Sequence, residues 1–149
     1  MRIIAGKYKG KKIFAPKTLP VRPTTDFAKE GLFNILKNQI NFEQIKILDL
    51  FAGTGNISFE FSSRGCKNVT SIDLNFNCVK FMKSINKELL FQNNIIRTDA
   101  FRYLKKCKES FNLIFADPPY DIENINLIPQ LIFEKNLLFE KGFLILEHD

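Results

Sequence analysis

From residue 45 onward the chain alternates short apolar runs with segments of helical periodicity, and four of those runs end at an aspartate. Ile45–Leu50 carries Asp49 near its end, Val69–Asp73 closes on Asp73, Ile95–Thr98 precedes Asp99, and Phe111–Ala116 precedes Asp117. Gly142–Glu147 is a fifth run. Between them Asn56–Arg64 reads as a helix stopped by Gly65, and a second helix spans about 76–90, with Val79, Met82, Ile85, Leu89 and Leu90 on one side. Ala100–Lys108 reads as a short helix, and 124–137 as another that tolerates Pro129 near its start. Strands that are apolar throughout cannot leave a face in water, so helices must cover both sides of a parallel sheet. The fold expected is a doubly wound, Rossmann-like α/β sheet of about five parallel strands.

In such sheets ligands sit beyond the carboxyl ends of the strands, where the strand order reverses. A single carboxylate there is often no more than a helix cap. Four successive strands ending this way make independent capping a weaker explanation. Between the first strand and its helix, Gly53 and Gly55 let the backbone turn sharply and approach a ligand closely. The third glycine of the dinucleotide fingerprint is absent, since Ser58 stands in its place. Asp73 is positioned to accept both hydroxyls of a ribose, which fits any adenosine-bearing cofactor.

The formal charge of +6 is unevenly placed. Residues 1–25 hold Arg2, Lys7, Lys9, Lys11, Lys12, Lys17 and Arg22 and no acid, so the whole excess lies there. A near-neutral body with one cationic end is the pattern of a phosphate-contacting arm, against the alternative of a solubilising tail. Ile3, Ala5, Tyr8, Ile13 and Phe14 interleave with the charges, and Gly6 and Gly10 offer turns, so a two-stranded ribbon is expected. Pro16, Pro20 and Pro23 make 16–24 a linker. Thr24, Thr25 and Asp26 are candidate caps for a helix in which Phe27, Leu32, Phe33, Ile35, Leu36 and Ile40 recur at helical spacing. The domain reading is one unit over 1–149, with a hairpin and linker at 1–24 and the catalytic core at 25–149. Cys66, Cys78 and Cys107 suggest neither a disulfide framework nor a metal site, so reduced core thiols in the cell interior are expected, with no metal. No apolar run is long enough for a membrane span. His148, the only histidine, is assigned no catalytic role.

Asp117-Pro118-Pro119-Tyr120 gives the chemistry its direction. An amine conjugated to a heterocycle is a poor nucleophile because its lone pair is delocalised. It must be aimed at its electrophile and allowed to shed a proton as positive charge develops. The Asp117 carboxylate and the Pro118 carbonyl can each take one N–H of such an amine. The prolines stiffen the turn, and Tyr120 offers a ring for stacking, worth roughly 1–3 kcal/mol. A base paired in a helix could not reach such a pocket unless it were flipped out. Phe51 and Phe101 adjoin the turns and can line the site. With the glycine turn, these features point to methyl transfer from S-adenosylmethionine to a base nitrogen.

Arg22-Pro-Thr-Thr-Asp26, Glu30-Gly-Leu-Phe-Asn34, Leu48-Asp-Leu-Phe-Ala-Gly-Thr-Gly55, Ser63-Arg-Gly65 and Asp117-Pro-Pro-Tyr120 together resemble the RsmD family over nearly the whole chain. The resemblance implies a class I methyltransferase sheet of order 3-2-1-4-5 that uses S-adenosyl-L-methionine on the exocyclic N2 of a guanine in 16S rRNA. It implies that Asp49, Phe51, Gly53 and Gly55 surround the methionine part of the cofactor. Asp73 would bind its ribose, Asp99 with Ala100 its adenine edge, and the segment containing Arg22, Thr24 and Thr25 would cover it. Asp117, Pro118, Pro119 and Tyr120 would receive the guanine. Arg2, Lys7, Lys9, Lys11 and Lys12 would hold rRNA within a small-subunit particle, the enzyme acting as a cytoplasmic monomer.

The chain departs from the family pattern in two places. Phe27 stands where family members often carry an arginine, and the final antiparallel strand pair is expected to be missing after Glu147-His148, leaving the fifth strand as an edge. Two other readings use the same residues. Adenine-N6, cytosine-N4 and glutamine-amide methyltransferases share similar turns, and a truncated rRNA-binding assembly factor would keep the basic arm without the chemistry.

Overall fold

The computed structural model describes residues 1–22 and 24–147. Pro23 of the expected linker, and His148, lie outside the described residues. Five strands form one parallel sheet: β1 (Lys46–Asp49), β2 (Asn68–Asp73), β3 (Asn94–Arg97), β4 (Phe111–Ala116) and β5 (Leu138–Leu146), in the order β3-β2-β1-β4-β5. Five α-helices accompany them: α1 (Asp26–Leu36), α2 (Asn56–Ser63), α3 (Phe76–Glu88), α4 (Ala100–Lys106) and α5 (Leu127–Glu134).

The apolar runs divide by parity, as strands buried on both faces must. Leu48, Ile72, Ile114 and Ala116 face Leu104 of α4 and Ile128, Leu131 and Ile132 of α5. Their neighbours Ile47, Val69, Leu113 and Phe115 face Phe33 and Leu36 of α1 and Ile57 and Phe61 of α2. Val79, Met82 and Ile85 of α3 close the second layer with Phe59. The three cysteines are buried and free, and burial pushes the Cys66 and Cys78 thiols up.

Several elements differ from the expected bounds: α1 ends at Leu36, short of Ile40, and α3 at Glu88, before Leu90 at φ 58°. The last helix is shorter than 124–137 because Asn124 and Asn136, at φ 62° and 54°, take left-handed conformations outside its two ends. The fifth strand starts at Leu138 rather than Gly142. Phe111 pairs with Leu138 but Leu113 with Phe143, so β5 bulges between them, with Lys141 at φ 67°. In the sheet β5 is an edge, paired with β4 alone.

The expected basic ribbon is a short antiparallel pairing: Arg2 bridges Lys12, Ile3 N donates to Lys11 O at 2.9 Å and Ile13 N to Met1 O at 2.8 Å, and the loop between is pinned to the body. Ile4 N and Ala5 N donate to the two carboxylate oxygens of Glu60 at 2.8 and 3.1 Å. Tyr8 N donates to Ser63 Oγ at 3.0 Å, and Tyr8 OH to Leu89 O at 2.7 Å. Gly6 lies so close to α2 that a Cβ there would stand 1.9 Å from Ser63 O.

Glu60 is fully buried and also meets Lys29 Nζ at 3.3 Å and Arg64 Nε at 2.8 Å. Lys29, itself buried, donates to Arg2 O at 2.5 Å and Asn56 Oδ1 at 2.8 Å. Desolvation lowers its pKa, and Glu60 opposes that shift. One buried ion cluster thus joins the arm, α1 and α2. Of its members only the Glu60–Arg64 spacing, four residues apart on one helix, is visible in sequence.

Candidate active site at the sheet switch point

β1 adjoins both β2 and β4, so the winding reverses between β1 and β4 and a crevice forms beyond their carboxyl ends. Leu50 N donates to Phe115 O at 2.9 Å, which holds the two strand ends together. The glycine turn leaves one strand and the Asp-Pro-Pro-Tyr turn the other.

In the glycine turn Gly53 has φ 59° and Gly55 φ 86°, conformations that L side chains rarely adopt. A Cβ at Gly55 would also lie 2.5 Å from Phe59 Cε2. Gly53 N donates to Asp73 Oδ2 at 2.8 Å, and Asn75 N to Asp73 Oδ1 at 2.9 Å. Asp73 therefore fixes the turn from the end of β2, and each oxygen keeps a further acceptor site for a ligand. Val21 lies over the turn, 3.0 Å from where a Gly53 Cβ would be, so the linker roofs this part of the crevice.

Asp49 is 1% exposed. Ser58 Oγ donates to its Oδ2 at 2.7 Å and also contacts Ser71 Oγ at 2.7 Å. The other oxygen, Oδ1, is buried with no hydrogen-bond partner among the described residues. Burial pushes the carboxyl up to about 7, against the Ser58 hydrogen bond, and Asp73 and Asp117 add like charge. A buried acceptor without a donor at a strand end fits a bound group that brings a cation or an N–H. Ser58, the departure from the dinucleotide fingerprint, is thus the residue that grips Asp49.

Other expected cofactor residues have structural tasks. Asp99 caps α4 by accepting from Arg102 N at 3.0 Å, the bland role weighed for strand-end acids. Ala100 is buried at the start of that helix, and Phe51 is half-buried against the same cluster. Thr25 caps α1, its Oγ1 accepting from Ala28 N at 3.0 Å, and Thr24 is half-buried beside it.

Arg22 stands on the other turn. Its Nη2 donates to Asp117 Oδ1 at 3.0 Å and to Pro118 O at 3.4 Å. Its guanidinium carbon lies 5.6 Å from the centre of the Tyr120 ring. Pro118 is buried, Pro119 is exposed, and Tyr120 is 74% exposed, its ring open to solvent. One planar, conjugated NH2 group therefore already meets the two acceptors proposed for a substrate amine. Beside it a cleft of about 310 Å³ is bordered by Arg22, the two prolines, Tyr120 and Glu147. Burial and the Asp117 charge raise the Glu147 carboxyl, while Arg22 opposes the rise. Glu147 had no role in the sequence reading because it follows a strand with no motif around it.

On the arm, Arg2 pairs with Asp26 at 3.1 Å and Lys11 with Glu88 at 3.8 Å. Lys7 lies 5.4 Å from the Tyr8 ring, and Lys7, Lys9 and Lys12 are exposed. All five cations reach the surface or its margin, but two already have acid partners.

The family model described as conserved hypothetical protein 95 matches residues 1–149. The Bacillus subtilis protein YlbH is 38% identical, the match covering 100% of this chain and 83% of that protein. Ribosomal RNA small subunit methyltransferase D of Haemophilus influenzae is 32% identical over 99% of this chain and 78% of its own length. The solved structure of yhhF from Escherichia coli superposes with a TM-score of 0.90 at 27% identity, covering 100% of this chain and 81% of that one.

Proposed function

The chain belongs to the family described as conserved hypothetical protein 95, and on that premise we propose that it is an S-adenosylmethionine-dependent methyltransferase acting on the exocyclic N2 of a guanine in small-subunit rRNA. The observation that carries the reading is the single nitrogen of Arg22 held by both Asp117 Oδ1 and Pro118 O. Two acceptors converging on one sp² nitrogen form a receptor for a conjugated amine, and the guanidinium N–H groups stand in for those of the base. Relatives named for small-subunit rRNA methylation, among them the Haemophilus protein, supply the substrate class.

When bound, S-adenosylmethionine supplies a methyl group activated by its sulfonium. The glycine turn, Asp73 and Asp49 would hold it, with Asp49 Oδ1 as the acceptor for a cationic group. Asp117 and the Pro118 carbonyl orient the target amine by accepting its two N–H groups. Asp117 then stabilises the positive charge that develops on nitrogen and accepts the departing proton at a carboxylate oxygen. Tyr120 stacks on the base, and Arg22 leaves the acceptors as the base enters. The arm follows the rRNA backbone through Lys7, Lys9 and Lys12, with Arg2 and Lys11 contributing once they leave their acid partners. The whole chain acts as one domain and one copy, in the cytoplasm; no helix of the described residues is long and apolar enough to cross a membrane.

The test is incubation of the protein and of Asp117→Ala with labelled S-adenosylmethionine and small-subunit particles lacking the modification, followed by identification of the product nucleoside. The wild type forms N2-methylguanosine. The variant loses about 100-fold or more in rate with cofactor affinity nearly intact. Label in another nucleoside, or in protein, would refute the substrate assignment. A matching loss of cofactor affinity would refute the role of Asp117.

A further inference from the structure

A pocket that holds an amine does not by itself choose guanine, because adenine and cytosine carry conjugated amines too. The edge beside the amine differs. In guanine the N2-bearing carbon is flanked by N3, a bare acceptor, and on the Watson–Crick edge by N1, which bears a hydrogen. In adenine and cytosine the ring nitrogen beside the amine is a bare acceptor. A second acceptor next to Asp117 would therefore favour guanine and repel the others.

The sheet places one there. Leu146 of β5 pairs with Ala116 of β4, and Glu147 N donates to Ala116 O at 2.9 Å. Continuing this parallel register by one residue sets Glu147 beside Asp117, at the roughly 4.8 Å spacing of neighbouring strands. In a parallel pair side chains in register lie on the same face, so the two carboxylates border one region. Glu147, Arg22 and Tyr120 line the same cleft, whose other polar residue is Asn126 and whose apolar walls include Ile122 and Leu146. Of the four polar residues, Arg22 can only donate, and Tyr120 and Asn126 can donate or accept. An ionised Glu147 can only accept.

We infer that Glu147 is a specificity-determining residue, accepting the N1–H of the target guanine while Asp117 accepts an N–H of its N2 amine. This rests on the guanine-N2 reading above. Two adjacent acceptors meet two adjacent donors only on the guanine edge. On adenine or cytosine the Glu147 carboxylate would face a lone pair, and that contact is repulsive. Arg22 fits the same account: paired with Asp117, its positive charge offsets the repulsion between Asp117 and Glu147.

The experiment compares wild type, Glu147→Gln and Glu147→Ala on reconstituted small-subunit particles carrying guanosine or 2-aminopurine riboside at the target position. The 2-aminopurine base keeps the N2 amine but has a bare N1. Wild type should prefer guanosine in kcat/KM by about 100-fold or more, as sites built around a hydrogen bond do. Glu147→Ala should lose roughly 10- to 100-fold on guanosine, the size expected for one charge-assisted hydrogen bond, and Glu147→Gln less, because its amide oxygen can still accept. Both should lose little on 2-aminopurine, so that the preference in Glu147→Ala collapses to within a few-fold. Binding of S-adenosylhomocysteine by calorimetry should be unchanged, which a merely structural role would not predict. An undiminished preference in Glu147→Ala, or equal loss on both bases, overturns the inference. If wild type forms no N2-methylguanosine at all, the guanine reading fails first, and that outcome is separable from the other two.

Discussion

Replacing Asp49 by asparagine tests the most perturbed strand-end group in the crevice. The carboxyl is 1% exposed and titrates near 7 in the folded chain instead of at its ordinary value of 3.8. Raising a carboxyl pKa on folding means that the native state binds a proton the unfolded chain has released. The stability it contributes is fully present below pH 3.8 and is lost as pH rises through about 7. At 1.36 kcal/mol per tenfold, that difference corresponds to about 4 kcal/mol, of which roughly 2–3 kcal/mol falls between pH 5 and 8. Asparagine has the shape of the protonated acid and cannot ionise, so the variant should lack this part of the pH slope. Urea unfolding of both proteins at pH 5 and pH 8 reads it directly. Glu147 and Lys29, whose shifts do not involve Asp49, are common to both chains and cancel in the difference. Wild type should fall relative to Asp49→Asn by roughly 2–3 kcal/mol as pH rises from 5 to 8. The variant should also bind S-adenosylhomocysteine about 10- to 100-fold more weakly at pH 8, the loss of one charge-assisted hydrogen bond. Parallel pH profiles for the two proteins would refute the assignment of a raised pKa to Asp49.

Lys29→Met removes one cation from the buried cluster while Glu60 keeps Ile4 N, Ala5 N and Arg64 as donors. The loss should be about 3 kcal/mol by urea unfolding, the lower end for breaking a buried pair, with faster tryptic cleavage of the released arm. Neutralising Lys7, Lys9 and Lys12 together should weaken rRNA binding and flatten its salt dependence by up to about two to three counterions. An unchanged slope in filter binding would place the phosphate contacts elsewhere. Tyr120→Ala should cost roughly 1–3 kcal/mol in binding of the RNA substrate, seen as a higher KM, while melting temperature barely moves because the ring is largely exposed.

The alternation of apolar runs with helical segments was enough to specify the sheet, because a strand such as Phe111–Ala116 has no polar face to give to water. Strand-end aspartates and paired glycines likewise marked the turns at the carboxyl ends of the strands, since both arise from local backbone chemistry. Boundaries were less legible where the chain leaves regular geometry: Asn124, Asn136 and Lys141 take left-handed conformations that no periodicity reports. The ribbon of the arm was legible because its charges and apolar residues interleave. Its attachment to the body comes from Glu60 and Ser63, more than fifty residues away, so a short-range pattern could not reveal it.

Sequence by itself therefore determined the fold class, the position of the two turns and the kind of chemistry they permit, all properties of residues near one another in the chain. Tertiary structure decided which acids act together. It made Asp99 a helix cap, left Asp49 Oδ1 without a hydrogen-bond partner among the described residues and drew Arg22 onto the Asp-Pro-Pro-Tyr turn, 95 residues away. It also set Glu147 beside Asp117. Burial, register and the sharing of a donor depend on what packs against a side chain, and only the folded sheet supplies that.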